Sequence, residues 1–532
     1  MRRALRVAVG LSGGVDSSVA ALLLKRAGFS VTGVFMRNWD AADESGAGLR
    51  AAPCPVEADF SSARAVARAL DIPLVRVDFS RAYWTGVFER ALADFSRGRT
   101  PNPDAACNAF IKFGSFREHA LTVLGADVVA TGHYAQLWPD AARDAFAALP
   151  RAHGGDDTDD GDARAPELFA AVDARKDQSD FLALVPPASL SRVAFPLGRL
   201  TKGEVRALAH EARLPSASRA ESMGMCFVGE RSLPAFLSAY IKPTRADFFA
   251  LERLSEGGRH VAPLASRACA EAMTVGQGAR IAGRAGHAGT ALPPYFVAAN
   301  GLLCSAREDA AVSRVSVPVW VVPGSEHAAL FATAAAVDFS AFNWSTGGLP
   351  AEVVAAAREA SARRGSEDSG AVVSALADWL RAAAEPRGSA SMHPSSPLPT
   401  PLRVFFRDRH TSSVPRAASV SVIRRAELTA ACALIAQKPI YAPIVRTDSL
   451  ESISFVPGWM AVEEGEDDRL LLTVFDEPHR AVTPGQVLVL YSHKTLGESG
   501  GRAVIGGGEV LCAGPSLWEM GLEVRVSGQT NL

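Results

Sequence analysis

The sequence predicts a doubly wound parallel α/β sheet, then a small mixed region, then an antiparallel β-barrel. Three observations carry this. Over the first 200 residues, short β-branched runs alternate with longer Ala/Leu/Arg segments, which is the rhythm of βαβ units. The first of these runs turns into its helix through a glycine- and serine-rich bend, where such sheets commonly receive anions. From Thr290 onward, runs such as "PVWVV", "LRVFF", "SVSVI", "LLLTVF" and "QVLVLY" alternate in the way barrel strands do.

Taken in order, "LRVAVGL" reads as the first strand and "SSVAALLLKRAG" as its helix. "SVTGVFM", "SARAVARALDI" and "LVRVDF" continue the alternation, with further strands at "ADVVATGHY" and "LFAAVD". Residues 140–165, containing "HGGDDTDDGDAR", are acidic, glycine-rich and too polar to pack, so a mobile insertion is expected there. The pattern is mixed from Phe227 to His287. Within the barrel region, residues 347–401 are Ala/Glu/Arg-rich and then Ser/Pro-rich, which predicts a helical insertion with a disordered tail.

A chain of 532 residues with 48% hydrophobic and 21% charged content has room for about three domains with real cores. No run of about 18 apolar residues suggests a membrane span. The first strand begins at Leu5, leaving little room for a presequence, although "MRRALR" is basic enough to keep organelle import open. The seven cysteines, at 54, 107, 226, 269, 304, 432 and 512, include no C-x-x-C pair, which argues against a disulfide scaffold or zinc knuckle. A net charge of -2 excludes wholesale electrostatic coating of nucleic acid but not a local basic face.

The opening bend, "VAVGLSGGVDSSVAALLL", places backbone amides and a helix N-terminus where an anion could sit, with the hydroxyls of Ser12, Ser17 and Ser18 as donors. Taken alone, it also reads as an ordinary glycine-rich turn with a serine cap. It is neither a Walker A motif nor G-x-G-x-x-G. Further on, "GRTPNPDAACNAFIKFG" holds two prolines that fix the backbone, a carboxylate at Asp104 and a thiol at Cys107. "ESMGMCFVGER" places Cys226 in a run that makes neither a good helix nor a clean strand. Alone, each cysteine reads as a small buried residue.

Together these segments resemble the tRNA-specific 2-thiouridylases, a branch of the ATP-pyrophosphatases found in bacteria and in the mitochondria of eukaryotes. The matching stretches are "GLSGGVDSSVAA", "GVFMRNWD", "TPNPD" with "CN" and "IKF", "ATGHYA", "KDQSDFL", "FPLG" with "TK", "ESMGMCF", "TVGQ" and "TPGQVLVLY", in that order over nearly the whole chain. The resemblance implies a Rossmann-like ATP-pyrophosphatase domain over 1–226, a small central domain over 227–288 and a β-barrel domain over 289–532. The sequence departs from the family in its insertions, at "GQGAR", at Ser62 where an aspartate is common, and at "RDRH" from Arg407 to His410.

By the same resemblance, ATP is the nucleotide, bound by Gly10, Leu11, Ser12, Gly13, Gly14, Val15, Asp16 and Ser17 together with Met36 and Gly132, and magnesium is expected to offset its phosphate charge. No protein metal site is implied. Adenylation turns the C2 oxygen of a uridine, otherwise a poor leaving group, into AMP. Cys226 then carries sulfur as a persulfide, Cys107 is its exchange partner, and Asp104 stands as acid or base. RNA contacts fall to Asn102, Pro103, Asp104, His133, Lys176, Asp177, Gln178, Arg407, Arg409 and Gln486. A base extruded from a single-stranded loop would reach the cysteines. The implied partners are tRNAs of the Lys, Glu and Gln type and a cysteine desulfurase or sulfur-relay protein. "MRNWDAADESG" and "ESMGMCF" look like the mitochondrial branch, so a mitochondrial location is expected. Two other readings share parts of the pattern: another ATP-pyrophosphatase synthetase, and a catalytically silent tRNA-binding relative.

Overall fold

The computed structural model describes residues 4–39, 55–138, 166–220, 232–251, 264–279, 281, 294–300, 302, 316–345, 350–362, 369–384, 402–408, 415–435, 445–447, 450–453, 468–496 and 501–516. The expected acidic insertion at 140–165, the Ser/Pro stretch after residue 384, Cys226 and Arg409 lie outside the described residues.

The chain opens with β1 (Arg6–Gly10), β2 (Ser30–Arg37), β3 (Leu74–Asp78) and β4 (Val128–Ala130). A hairpin follows, β5 (Ala135–Trp138) with β6 (Glu167–Ala170), and then β7 (Val193–Ala194). The parallel sheet has the order β3-β2-β1-β4-β7, so the direction of winding reverses between β1 and β4. In doubly wound sheets, ligands bind at the carboxyl ends of the strands beside that reversal.

Helix α1 (Val15–Arg26) packs with Val15, Val19, Leu22 and Leu24 buried against the sheet. Burying each such side chain contributes about 1.5–3 kcal/mol. Helix α2 (Pro55–Ala69) covers the same layer through Ala63, Val66 and Ala67. The run "LFAAVD", read from sequence as part of the parallel rhythm, does not join that sheet. It supplies β6, which pairs antiparallel with β5 and touches the barrel through Ala503 opposite Phe169.

The middle region holds β8 (Arg245–Ala250), β9 (Ala265–Arg267), β10 (Tyr295–Asn300) and β11 (Ser316–Pro323), ordered β10-β11-β8-β9. "PVWVV" therefore sits in this sheet, parallel to β8, and not among the barrel strands. Next come β12 (Phe331–Asp338), the short β13 (Asn343–Trp344), β14 (Leu402–Arg407) and β15 (Arg416–Arg424). A two-stranded pair, β16 (Val445–Thr447) and β17 (Leu450–Ile453), precedes β18 (Arg469–Arg480), β19 (Val487–Thr495) and β20 (Arg502–Ala513).

The pairings β12-β18-β15-β14-β19-β20 close through β20 with β12 into an antiparallel barrel of six strands. Closure removes the exposed edges of the sheet. The helices Ala351–Ala362 and Ser369–Ala384 of the expected insertion pack on the barrel with Val353, Ala360, Leu376 and Leu380 buried. Barrel and α/β unit share one apolar core, in which Phe113, Leu182 and Phe195 meet Val489, Tyr491 and Val504. No helix among the described residues is long and apolar enough to cross a membrane.

Candidate active site

The bend after β1 is built as an anion cradle. Gly13 has φ +83°, and a Cβ there would lie 2.7 Å from the Asp59 carbonyl oxygen, so only glycine lets α2 pack this closely. Ser62, where the family commonly has aspartate, donates to the Gly13 carbonyl at 2.9 Å. Arg219 donates to the same oxygen at 3.2 Å and also binds Asp59. Held this way, the bend leaves Ser12 exposed and Gly14 and Asp16 half-buried, whereas Leu11, Gly13, Val15 and Ser17 are buried.

The hydroxyls divide their work. Ser12 Oγ lies 3.1 Å from Ser17 Oγ and accepts from the Gly14 amide at 3.4 Å. Ser18, considered from sequence as an anion donor, is fully buried and donates to the Gly14 carbonyl at 2.7 Å, so it closes the first helical turn. Gly132 follows β4 and completes the cradle. A Cβ at Gly132 would lie 2.7 Å from the Ser17 amide nitrogen, which places the two loops in contact at the reversal of the sheet. Met36 approaches from β2, its methyl 3.2 Å from where a Gly10 Cβ would stand. An exposed hydroxyl, a helix N-terminus and a floor without side chains together suit a phosphate group.

Asp16 is the acidic group of this bend. Lys202 Nζ donates to its two carboxylate oxygens at 2.8 and 2.9 Å, and the Tyr134 hydroxyl donates to Oδ1 at 2.8 Å. Lys202 reaches Asp16 because Thr201 caps the helix Lys202–Glu211 in a reciprocal pair with Glu204, which fixes where the helix begins. In the sequence, Lys202 stands out only as part of "TK", with no role of its own. Its partner lies 186 positions away, and local spacing carries no trace of that contact.

The cysteine segment is also set by capping. Asn102 Oδ1 accepts from the Ala105 amide at 3.2 Å at the start of the helix Pro103–Cys107, whose first residue is proline. This leaves Asp104 exposed and Cys107 buried at the end of the helix. The helix runs directly into a π-helix, Asn108–Phe116, whose Lys112 lies 3.4 Å from Nε2 of His133. Thr131 Oγ1 holds the other ring nitrogen at 2.7 Å. Burial, and then the charge of Lys112, hold His133 well below its usual pKa of 6.5, so the ring is neutral at pH 7. Through Lys112 and His133 the cysteine helix is tied to Gly132 and hence to the cradle.

Among the described thiols, burial pushes Cys269 up to about 11 and Cys512 up to about 12, which makes both poor nucleophiles. Cys226 lies outside the described residues, so its position relative to Cys107 is not described.

The residues expected to contact RNA divide by exposure, and Pro103 and His133 are buried. Asn102, Asp104 and the half-buried Lys176, Gln178 and Gln486 keep some exposure. Gln178 exchanges hydrogen bonds with the Tyr134 backbone at 3.0 and 2.8 Å, and Gln486 donates to the Thr100 carbonyl at 2.7 Å. Asp177 and Arg407 are only 6% and 2% exposed and are bound to each other at 2.8 Å. Ser179 donates to Asp177 and lies 3.0 Å from the Tyr491 hydroxyl. A pair expected at a solvent-facing surface is thus a buried clasp between α/β unit and barrel, because β14 carries Arg407 into their shared interior.

Asp180 stands 4.0 Å from Arg407 in this interior, and burial raises its carboxyl from 3.8 to about 7. The folded chain therefore keeps a proton there that the unfolded chain releases above about pH 4. Stability from this group is full below that pH and is lost as pH rises toward 7. Asp180→Asn, which has nothing to titrate, is expected to be more stable than wild type above pH 7 by up to about 4 kcal/mol, with the gain shrinking toward pH 4. Denaturant melts of both proteins at pH 5 and pH 8 check this, and a gain equal at the two pH values would refute it.

Family models match in two places: a tRNA methyl transferase HUP domain over residues 5–230 and an aminomethyltransferase beta-barrel domain over 460–510. Relatives named for one activity align with the chain. The mitochondrial tRNA-specific 2-thiouridylase 1 of Danio rerio is 37% identical over 350 residues, covering 65% of this chain and 76% of that protein. The chain belongs to the tRNA-specific 2-thiouridylase family. Two bacterial 2-thiouridylases also match. That of Mycoplasmopsis synoviae is 42% identical over 48% of this chain and 62% of its own length, and that of Streptococcus thermophilus is 45% identical over 44% and 56%. The chain thus spans under two thirds of the length of these bacterial 2-thiouridylases. The HUP match takes in the cradle, the cysteine helix and Lys202.

Proposed function

We propose that this chain is an ATP-dependent tRNA-uridine 2-sulfurtransferase that exchanges the C2 oxygen of a wobble uridine for sulfur. The observation that carries this reading is the junction at Gly132, where an anion cradle and the helix bearing Cys107 meet through His133 and Lys112. A departing pyrophosphate needs such a cradle, and an activated uridine needs a thiol beside it.

Here Ser12, the Gly14 amide and the start of α1 would hold the phosphates, with Met36 against the nucleoside. Magnesium would travel with the phosphates and share Asp16, since this ion prefers phosphate oxygens, water and one or two carboxylates. When bound, it supplies neutralisation of phosphate charge. Neutral His133, its ring nitrogens engaged by Thr131 and Lys112, would back the base site without adding charge. Cys226 is proposed to deliver sulfur from a persulfide to C2 as AMP leaves. Cys107 then attacks the Cys226 sulfur, which breaks that sulfur's bond to the transferred atom and forms a Cys107–Cys226 disulfide that a cellular reductant must reopen. A cysteine desulfurase or relay protein would reload Cys226.

The proposed substrates are tRNAs of the Lys, Glu and Gln type, in the mitochondrion, where the Danio rerio relative is named as acting. We place the domain limits at 1–226, 227–288 and 289–532, noting that β10 and β11 hydrogen-bond with the strands of the middle segment. Nucleoside mass spectrometry of unmodified tRNA incubated with reduced protein, magnesium and a sulfide donor, with and without ATP, tests the reading. ATP-dependent 2-thiouridine is expected. None forming while a known thiouridylase works in the same mixture would overturn it.

A further inference from the structure

Two of the sequence stretches have the same form, Thr274-Val275-Gly276-Gln277 and Thr483-Pro484-Gly485-Gln486, although one follows the middle sheet's β9 and the other precedes β19. Both fold alike. In each, the fourth amide donates to the first carbonyl, at 3.0 and 3.2 Å, and the glycine is left-handed, with φ +81° and +90°. These are type II turns. They face one cleft of about 390 Å3, whose apolar floor is Leu233, Pro234, Ala272 and Val275.

Thr100 ties the two turns together. Its hydroxyl donates to Thr274 Oγ1 at 3.1 Å, its amide donates to the Pro484 carbonyl at 2.9 Å, and its carbonyl accepts from Gln486 Nε2 at 2.7 Å. In sequence, Thr100 and the cleft's Leu233 flank the two cysteines of interest. Thr100 is seven residues before Cys107, and Leu233 is seven residues after Cys226.

The two glutamine amides have fixed orientations. Gln277 Oε1 accepts from the Thr274 amide at 3.0 Å, which turns its NH2 group outward, and the Gln486 contact leaves that residue's Oε1 outward. The two glutamine amides therefore offer one donor and one acceptor over an apolar floor, and among the described residues no charged side chain lines the cleft. An amide donor without a cation beside it holds phosphate weakly. A nucleobase fits, because its faces are apolar and its edge alternates acceptors and donors, and Gln is suited to reading such edges.

We propose that this cleft receives an unpaired base next to the target uridine, with Gln277 Nε2 reading its edge. This rests on the RNA reading above and adds a second base site to it. The test uses the full chain and a synthetic anticodon stem-loop RNA containing the target uridine, together with two versions made abasic at the nucleotide before or after it. Binding is read by fluorescence anisotropy, and thermal melts confirm that the variants are folded.

Wild type is expected to bind one abasic RNA about tenfold more weakly than the intact one, and Gln277→Leu to bind the intact RNA about tenfold more weakly while being indifferent to that abasic site. Gln277→Glu, which keeps the acceptor holding Thr274, should lose affinity in the same way. If wild type binds and thiolates the RNA but both variants match it on all three RNAs, or lose the same factor as wild type at each abasic site, the cleft proposal falls alone. If wild type binds none of the RNAs, the RNA reading falls and takes the cleft with it.

Discussion

Cys107→Ser is expected to abolish 2-thiouridine formation while leaving RNA binding and ATP-dependent pyrophosphate release in place. The substitution exchanges one small buried atom for another at the end of a capped helix, so the fold has little reason to change. Oxygen cannot take the part of sulfur in thiol exchange, so sulfur transfer stops at the step that needs the second cysteine. Mass spectrometry of the product nucleosides, run beside a pyrophosphate assay, separates the two halves of the reaction. Thiouridine at the wild-type rate would remove Cys107 from the chemistry. Loss of pyrophosphate release as well would mean that the cysteine helix shapes the cradle rather than serving the later step.

The second large effect belongs to Lys202. Lys202→Met keeps the length of the side chain and removes the charge that meets Asp16. A preorganised donor beside developing negative charge is worth about a hundredfold to a thousandfold in rate. Lys202→Met should therefore slow pyrophosphate release by about a hundredfold, with RNA affinity unchanged. Lys202→Arg should restore part of the rate, because it returns the charge without the geometry. A variant that releases pyrophosphate normally would confine the Lys202–Asp16 contact to tying the helix Lys202–Glu211 to α1.

How far these features could be read in the sequence depends on how locally each is encoded. The turn after β1 and the barrel strands other than "PVWVV" follow from neighbouring residues and stand where the sequence put them. The capped helix at Asn102 is encoded as locally, but the sequence shows it only as a proline-fixed backbone. Arg407 was legible as a basic residue but not as a buried one, because its burial depends on β14 lying beside β19, over eighty positions away. Lys202 and Tyr134 are similar cases, since their common partner Asp16 is brought in only by the sheet. The two matching turns were visible as text. That they face a single cleft is a fact of tertiary packing.

The hairpin of β5 and β6 carries a practical consequence. Its strands stay in register up to Trp138 opposite Glu167, so the ends of the long connection between them are held at neighbouring points. The entropy of closing such a connection grows only with the logarithm of its length, roughly 0.6 kcal/mol for each doubling. Lineages could therefore lengthen or shorten the chain here without disturbing the cradle. For the same reason, this is the position at which an affinity tag or fluorescent reporter could be spliced into the protein.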